Sequence, residues 1–262
     1  GYTTDLLTEH ALDFIKANRD SPFFLYLPHL AIHFPWQGRD DPPHRVAGTD
    51  YTRDKFGTIP DSTNVAPHVE AMLEAFDDSV GRVMETLDNL GLTEQTLLIV
   101  TSDNGGYLNY REAFQNISSN GGFRGQKTEV YEGGHRVPLI ISWPGCIKAG
   151  TTAALTHSND WMPTMLALAG SDAPNSDGAD LSSFLLEGND LAPRPLFWRT
   201  RNARAVRHGP WKLCIIGKEP QLFHLENDPG ETTNLAKDHK KLVTELSNAW
   251  SEWNDDVNDN TK

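Results

Sequence analysis

Cysteine is scarce in this sequence: Cys146 and Cys214 are the only two in 262 residues. Two cannot build a disulfide framework, and neither stands in a Cys-x-x-Cys spacing, so a zinc cluster is unsupported. Positive charge is short as well. Lys and Arg number 23 against 36 Asp and Glu, a formal net charge of −13, which argues against nucleic acid as a partner because a phosphate backbone demands a basic face. Long apolar runs are missing, so no segment reads as a membrane span; the longest, 23–27 and 97–100, have the length of buried strands. There is no Gly-x-Ser-x-Gly nucleophile elbow. Nor is there an initiator methionine or a signal peptide. The chain opens at Gly1 straight into a helical pattern, which reads as a fragment of a longer protein.

What is present is enough to fold. Hydrophobic residues make up 38% of the chain, with seven Trp and eleven Phe, ample for a buried core and against disorder. The acidity either keeps the protein soluble or is reversed locally, by a metal ion or a cluster of cations, at a site for an anionic substrate.

Residues 4–17 place Leu6, Leu7, Ala11, Phe14 and Ile15 at helical spacing, with Thr3, Thr4 or Asp5 as candidate caps. Phe23–Leu27 reads as a strand buried on both faces. A polar, Pro-rich stretch from His33 to Pro67 is too long for an ordinary connection, and its Trp36, Tyr51 and Phe56 are candidates to line a substrate cleft. Residues 68–90 carry one apolar stripe (Val69, Met72, Leu73, Phe76, Val80, Val83, Met84, Leu87) stopped by Gly91. Strands are predicted at 97–101 and 137–143, and a helix at 160–169 with Pro163 in its first turn. Strands alternating with helices predict an α/β domain with a largely parallel sheet over 1–193. From 194 to 262 the pattern changes to short strands at 203–208, 211–216 and 221–225 and a last helix from Leu235 towards Trp253, a small antiparallel α+β subdomain.

Three constellations could carry chemistry. Asp103-Asn104 ends an apolar strand, where ligands gather in open α/β sheets; a carboxylate beside an amide offers oxygen ligands for a hard cation such as Ca²⁺ or Mg²⁺. The same Asp-Asn-Gly is also a turn signature that needs no metal. Gly121–Lys127, followed by Tyr131–Gly134, is a Gly-rich stretch in which backbone can approach a ligand closely and Lys127 supplies a point charge for a tetrahedral oxyanion. It is either that or a mobile loop, and it lacks the Gly-Lys-Ser/Thr ending of a nucleotide site. His33, in His33-Phe34-Pro35, is placed to hydrogen-bond a substrate or act as general acid, or is structural; His29 reads as structural.

Together these blocks resemble the sulfatase family of the alkaline-phosphatase superfamily. The resemblance is carried by Pro22–Tyr26 leading to His33-x-Pro35, by Leu98–Gly105, and by Arg124-Gly125-x-Lys127 with Glu132-Gly133-Gly134-x-Arg136-Val137-Pro138 and Trp143-Pro144-Gly145. Asp160-x-x-Pro163-Thr164 and Leu225-x-x-Asp228-Pro229-x-Glu231-x-x-Asn234-Leu235 complete it. It implies an alkaline-phosphatase-like, mixed, largely parallel sheet flanked by helices. It implies hydrolysis of an aryl or carbohydrate sulfate ester, one Ca²⁺ held in part by Asp103 and Asn104, and sulfate contacts from Lys127 and His33, with His33 also assisting the leaving oxygen. The family's nucleophile is a formylglycine made in a Cys/Ser-x-Pro-x-Arg motif. Cys146 in Gly-Cys-Ile-Lys and Cys214 in Leu-Cys-Ile-Ile do not match, so that residue and the remaining acidic ligands are expected upstream of Gly1, and this chain alone is expected to be inactive. Relatives are usually exported, which implies a periplasmic or extracellular place. Two rivals stay open: a catalytically inactive sulfated-glycan-binding homologue, and a phosphatase or phosphodiesterase of the same superfamily, against which Asn104 in place of His argues. Nothing in the pattern speaks to oligomeric state.

Overall fold

The computed structural model describes residues 1–50, 52, 64–110, 114–172 and 176–259. The chain divides into two compact units that interleave along the sequence. The first gathers Gly1–Leu98, Tyr107–Ser119 and Ile141–Gly145; the second gathers Ile99–Gly106, Asn120–Ile140 and Cys146–Lys262. Among the described residues no helix is long and apolar enough to cross a membrane.

The first unit is built on helices α1 (Thr3–Ala17) and α2 (Ala66–Asn89), both where apolar periodicity places them. Their buried faces are shifted from expectation. In α1 the buried residues are Thr4, Thr8, Ala11, Leu12 and Ile15, while Leu6 and Phe14 are exposed. In α2 Ala75 and Ser79 are buried, and Leu73 and Met84 are exposed. The reason is a buried hydroxyl chain that lets polar residues occupy the contact. Thr8 Oγ1 donates to Thr4 O (2.6 Å) and lies 2.7 Å from Ser79 Oγ, which is 2.9 Å from His29 Nε2. A satisfied hydroxyl is small enough for close helix approach and carries no unpaired-group cost. The expected structural role of His29 fits this geometry, and burial pushes its pKa down. α1 starts after Tyr2 without a side-chain cap, so the capping expectation fails. Gly91 follows α2 in the left-handed region, at φ 70°, which glycine adopts without a Cβ penalty.

Phe23–Leu27 does not form a doubly buried strand. The segment carries no strand pairing. Phe23, Leu25 and Leu27 pack on the cluster of Leu12, Ile15, Val83 and Leu87, but Phe24 is 68% and Tyr26 76% exposed. Alternation with period two gives an extended chain one buried face only. Trp36 does not line a cleft either: it is 2% exposed, at the centre of a core with Val65, Val69, Met72, Phe114 and Ile117. Tyr51 and Phe56 lie outside the described residues.

Strands β1 (Leu98–Thr101) and β2 (Leu139–Ser142) form a two-stranded sheet. The second unit also holds α3, a single turn at Glu132–His135, α4 (Trp161–Leu168) and α5 (Ser182–Glu187). Its largest element is an antiparallel meander of β3 (Pro195–Arg199), β4 (Ala203–His208), β5 (Trp211–Ile216) and β6 (Glu219–His224), followed by α6 (Lys240–Asp259). β3 adds a strand to the three expected here; its opening proline fits an edge strand. Val206, Leu213 and Leu222 stand in register and pack with Leu246 and Trp250 of α6. On the other face Ala205, Cys214 and Phe223 pack with Val130 and Tyr131 of the Gly-rich segment. The two-residue period of β5 therefore turns Leu213 and Ile215 towards the helix, and Lys212 and Cys214 towards that segment.

Candidate functional site

β1 delivers Asp103 and Asn104 into the turn after its last residue. The Asn104 side-chain amide donates to Asp103 Oδ1. Asn104 Oδ1 is buried and accepts no hydrogen bond, a costly condition for an amide oxygen. An orphaned oxygen beside an exposed carboxylate fits a hard cation, which would take both as ligands. It is a partial set: no group of three or more His, Cys, Asp or Glu able to hold a metal exists among the described residues.

The Gly-rich segment is locked to this turn by backbone. Gly105 N donates to Gly134 O (3.0 Å) and Lys127 N to Gly106 O (3.3 Å). Asn120 is the staple: its Oδ1 accepts from Gly106 N (3.0 Å), and its amide donates to Gly106 O (3.1 Å) and Gly125 O (3.0 Å). The glycines are needed for the crossing. A Cβ on Gly105 would lie 1.8 Å from Gly133 O, and one on Gly134 2.1 Å from Glu129 O. The stretch 121–134 is thus tied to the turn by backbone and by the Asn120 side chain. It brings Lys127 to the turn bearing Asp103 and Asn104. Thr128, next to Lys127, is held at φ 77°, a left-handed conformation that a β-branched residue keeps only when its surroundings impose it.

Behind the loop lies a buried ionic network that the sequence reading missed. Glu132, Lys212 and Glu231 are all fully buried. Lys212 Nζ stands 2.9 Å from Glu132 Oε1, 3.0 Å from Glu231 Oε1 and 3.1 Å from His135 Nε2. Arg207 Nη1 reaches Glu132 Oε2 at 3.0 Å, and the Glu132 amide donates to Glu231 Oε2 at 2.7 Å. Burial disfavours both carboxylates, but they diverge. The attraction of Lys212 and Arg207 outweighs burial at Glu132 and holds its pKa low, whereas burial prevails at Glu231 and raises it. Burial, with repulsion from Lys212, pushes His135 down to about 3, so its ring is neutral. A charged residue inside an otherwise apolar strand, as Lys212 is between Trp211 and Leu213, was the available signal.

Asp103, Asn104 and Lys127 share the second unit; His33 belongs to the first. His33 is exposed, with Nδ1 2.8 Å from Phe34 O. Because a carbonyl only accepts, Nδ1 carries the proton, leaving Nε2 as acceptor in the neutral ring and donor when charged. Neither cysteine stands in the formylglycine motif. Burial pushes the Cys214 thiol up to about 12, and no second residue of a Cys-x-Pro-x-Arg motif follows Cys146.

The Sulfatase family profile matches residues 1–171, and that of N-sulphoglucosamine sulphohydrolase, C-terminal, matches residues 122–255. The chain is 37% identical to N-acetylgalactosamine-6-sulfatase of Mus musculus, over 91% of this chain and 45% of the relative. It is 32% identical to N-acetylgalactosamine-6-O-sulfatase of Bacteroides thetaiotaomicron, over 93% and 49%. A crystal structure of Ps i-CgsB in complex with k-i-k-neocarrahexaose superposes with a TM-score of 0.79 at 28% identity, over 96% of this chain and 55% of that one. The chain spans about half the length of the curated relatives it matches.

Proposed function

The chain belongs to the sulfatase family, with an alkaline-phosphatase-like α/β fold, and from that premise we propose that it supplies the calcium- and sulfate-binding part of a sulfuric ester hydrolase releasing inorganic sulfate from an aryl or carbohydrate sulfate. The observation that supports the reading is the backbone lock through Gly105, Gly106 and Asn120, which ties the turn of Asp103 and Asn104 to the loop of Lys127. Relatives named for N-acetylgalactosamine and relatives named arylsulfatase support both ester classes. Residues 1–193 belong to the catalytic domain in this proposal, and 194–262 form its C-terminal subdomain, in a protein exported to the periplasm or beyond.

Asp103 and Asn104 Oδ1 would hold the single Ca²⁺, which when bound offsets negative charge on the sulfuryl oxygens. Lys127 binds the sulfate through its point charge and three donors. His33 is proposed as a further sulfate contact and as the group that assists the departing oxygen. The formylglycine nucleophile is expected upstream of Gly1. The net charge of −13 makes such local cations a requirement for admitting an anion.

The test compares this chain with its longest natural reading frame, using 4-nitrophenyl sulfate and 4-nitrophenyl phosphate. The chain alone gives no turnover. The extended form, carrying an in-frame Cys/Ser-x-Pro-x-Arg, gives calcium-dependent sulfate release that Asp103→Ala or Lys127→Ala lowers by about 100-fold or more. Turnover by the chain alone, or phosphate preferred over sulfate, overturns the proposal. An extended form that has no formylglycine and binds sulfated glycans without cleaving them makes the protein a binding homologue instead.

A further inference from the structure

The block Asp228-Pro229-Gly230-Glu231 has no part in the chemistry above, yet it grips the Gly-rich loop twice. Arg124 Nη1 donates to Glu231 O at 2.8 Å, at one end of the loop. The Glu132 amide donates to Glu231 Oε2 at 2.7 Å, at the other end. Those ends close on each other through Gly133 N to Arg124 O (2.7 Å), and Lys127 lies between them. We propose that Glu231 is a positioning residue for Lys127: one side chain and one carbonyl clamp both ends of the loop and set where its lysine stands. The inference rests on the sulfate-binding reading of Lys127.

The clamp is itself over-determined. Glu231 sits at φ 53°, a left-handed backbone that a non-glycine residue keeps only when fixed from several sides. Its amide donates to Asp228 O (3.1 Å), and the Asp228 carboxylate accepts from the amides of Thr232 and Thr233 at 2.8–3.0 Å. Its Oε1 is held by Lys212 Nζ at 3.0 Å. Arg124 is steadied by the Tyr131 ring, its guanidinium carbon 3.9 Å from the centroid. Both oxygens of the Glu231 carboxylate are therefore occupied by protein groups, so it cannot reach substrate and acts only through the loop. The ionised form is the one that serves both Lys212 and the Glu132 amide. A glutamine has one accepting oxygen for those two donors, so Glu231→Gln keeps the shape and loses one grip.

Two measurements on Glu231→Gln decide the matter. In this chain, native-state amide exchange at residues 124–134 speeds about tenfold or more, while amides of β4 and β5 change far less. Equal acceleration in loop and sheet, or none in the loop, overturns the inference, because Glu231 then contributes only to general stability or to nothing. In the extended form, Glu231→Gln lowers kcat/KM roughly 10- to 100-fold, and adding it to Lys127→Ala lowers it no further. Additive losses overturn the inference, since a residue acting through Lys127 has nothing left to act on once the lysine is gone. Absence of turnover in the wild-type extended form would instead count against the sulfatase reading, and the exchange measurement would still decide the role of Glu231.

Discussion

A methyl group at Gly105 would have to share space with a carbonyl oxygen. Its Cβ would come 1.8 Å from Gly133 O, and because both partners are backbone no side-chain rotation relieves the clash. Gly105→Ala is expected to cost more than about 3 kcal/mol, the upper end for overpacking, and to unseat Lys127 with the loop. Gly81 is the control. It lies inside α2, where an added Cβ would meet nothing within 4 Å, so Gly81→Ala should stabilise by roughly 0.5–1 kcal/mol. Urea midpoints of the two variants check both signs; equal and opposite small shifts would sink the account of the crossing. At this scale the sequence shows glycines but not which of them meet another strand of backbone, since that depends on what the fold brings into contact with them.

At the scale of elements, exposure rather than hydrophobicity decides what a residue is worth. Phe24 is the larger side chain, but it is 68% exposed, whereas Leu25 packs on the α1–α2 cluster. Leu25→Ser is expected to cost roughly 2 kcal/mol and Phe24→Ser less than about 0.5 kcal/mol in this chain. Denaturant titration of both separates them, and a larger loss at Phe24 would mean that its face is covered. The meander shows the same rule in register. Alternate residues of β5 serve different masters, Leu213 the helix α6 and Lys212 the Gly-rich loop, which is why one strand can be both core and support for the site.

For the molecule as a whole, acid is the expected weakness. Burial holds the pKa values of His29, His135 and His157 below the ordinary histidine value. A group whose pKa is depressed in the fold takes up its proton on unfolding, so its contribution is complete above about pH 6.5 and fades as pH falls below it. For His135 the window runs from there down to about 3. His135→Gln keeps a polar side chain beside Lys212 and removes one proton from the linkage. Between pH 6.5 and 5 its stability should fall less steeply than that of the parent, by up to about 1.4 kcal/mol per pH unit. Unfolding free energies measured across that range check this; an unchanged slope would mean that His135 already carries a proton in the fold.

By itself the sequence determined the family and the fold class, and it supplied the candidates for the site. Those follow from patterns written locally: helical stripes at 4–17 and 68–90, which fold as Thr3–Ala17 and Ala66–Asn89, an apolar strand running into Asp103-Asn104, and ordered blocks of Gly, Lys, His and Pro. Short-range geometry controls such features, so they are readable without partners. Only the tertiary structure decided that Trp36 is core, that the strand-like 23–27 has a bare face, that Asn120 staples the loop to the turn bearing Asp103 and Asn104, and that Glu231 and Lys212 both bond to Glu132 at the end of that loop. Each depends on contacts between residues far apart in sequence, such as the 2.7 Å bond from the Glu132 amide to Glu231. The free energy of a buried charge or an orphaned oxygen is set by what surrounds it, and the surroundings exist only once the chain has folded.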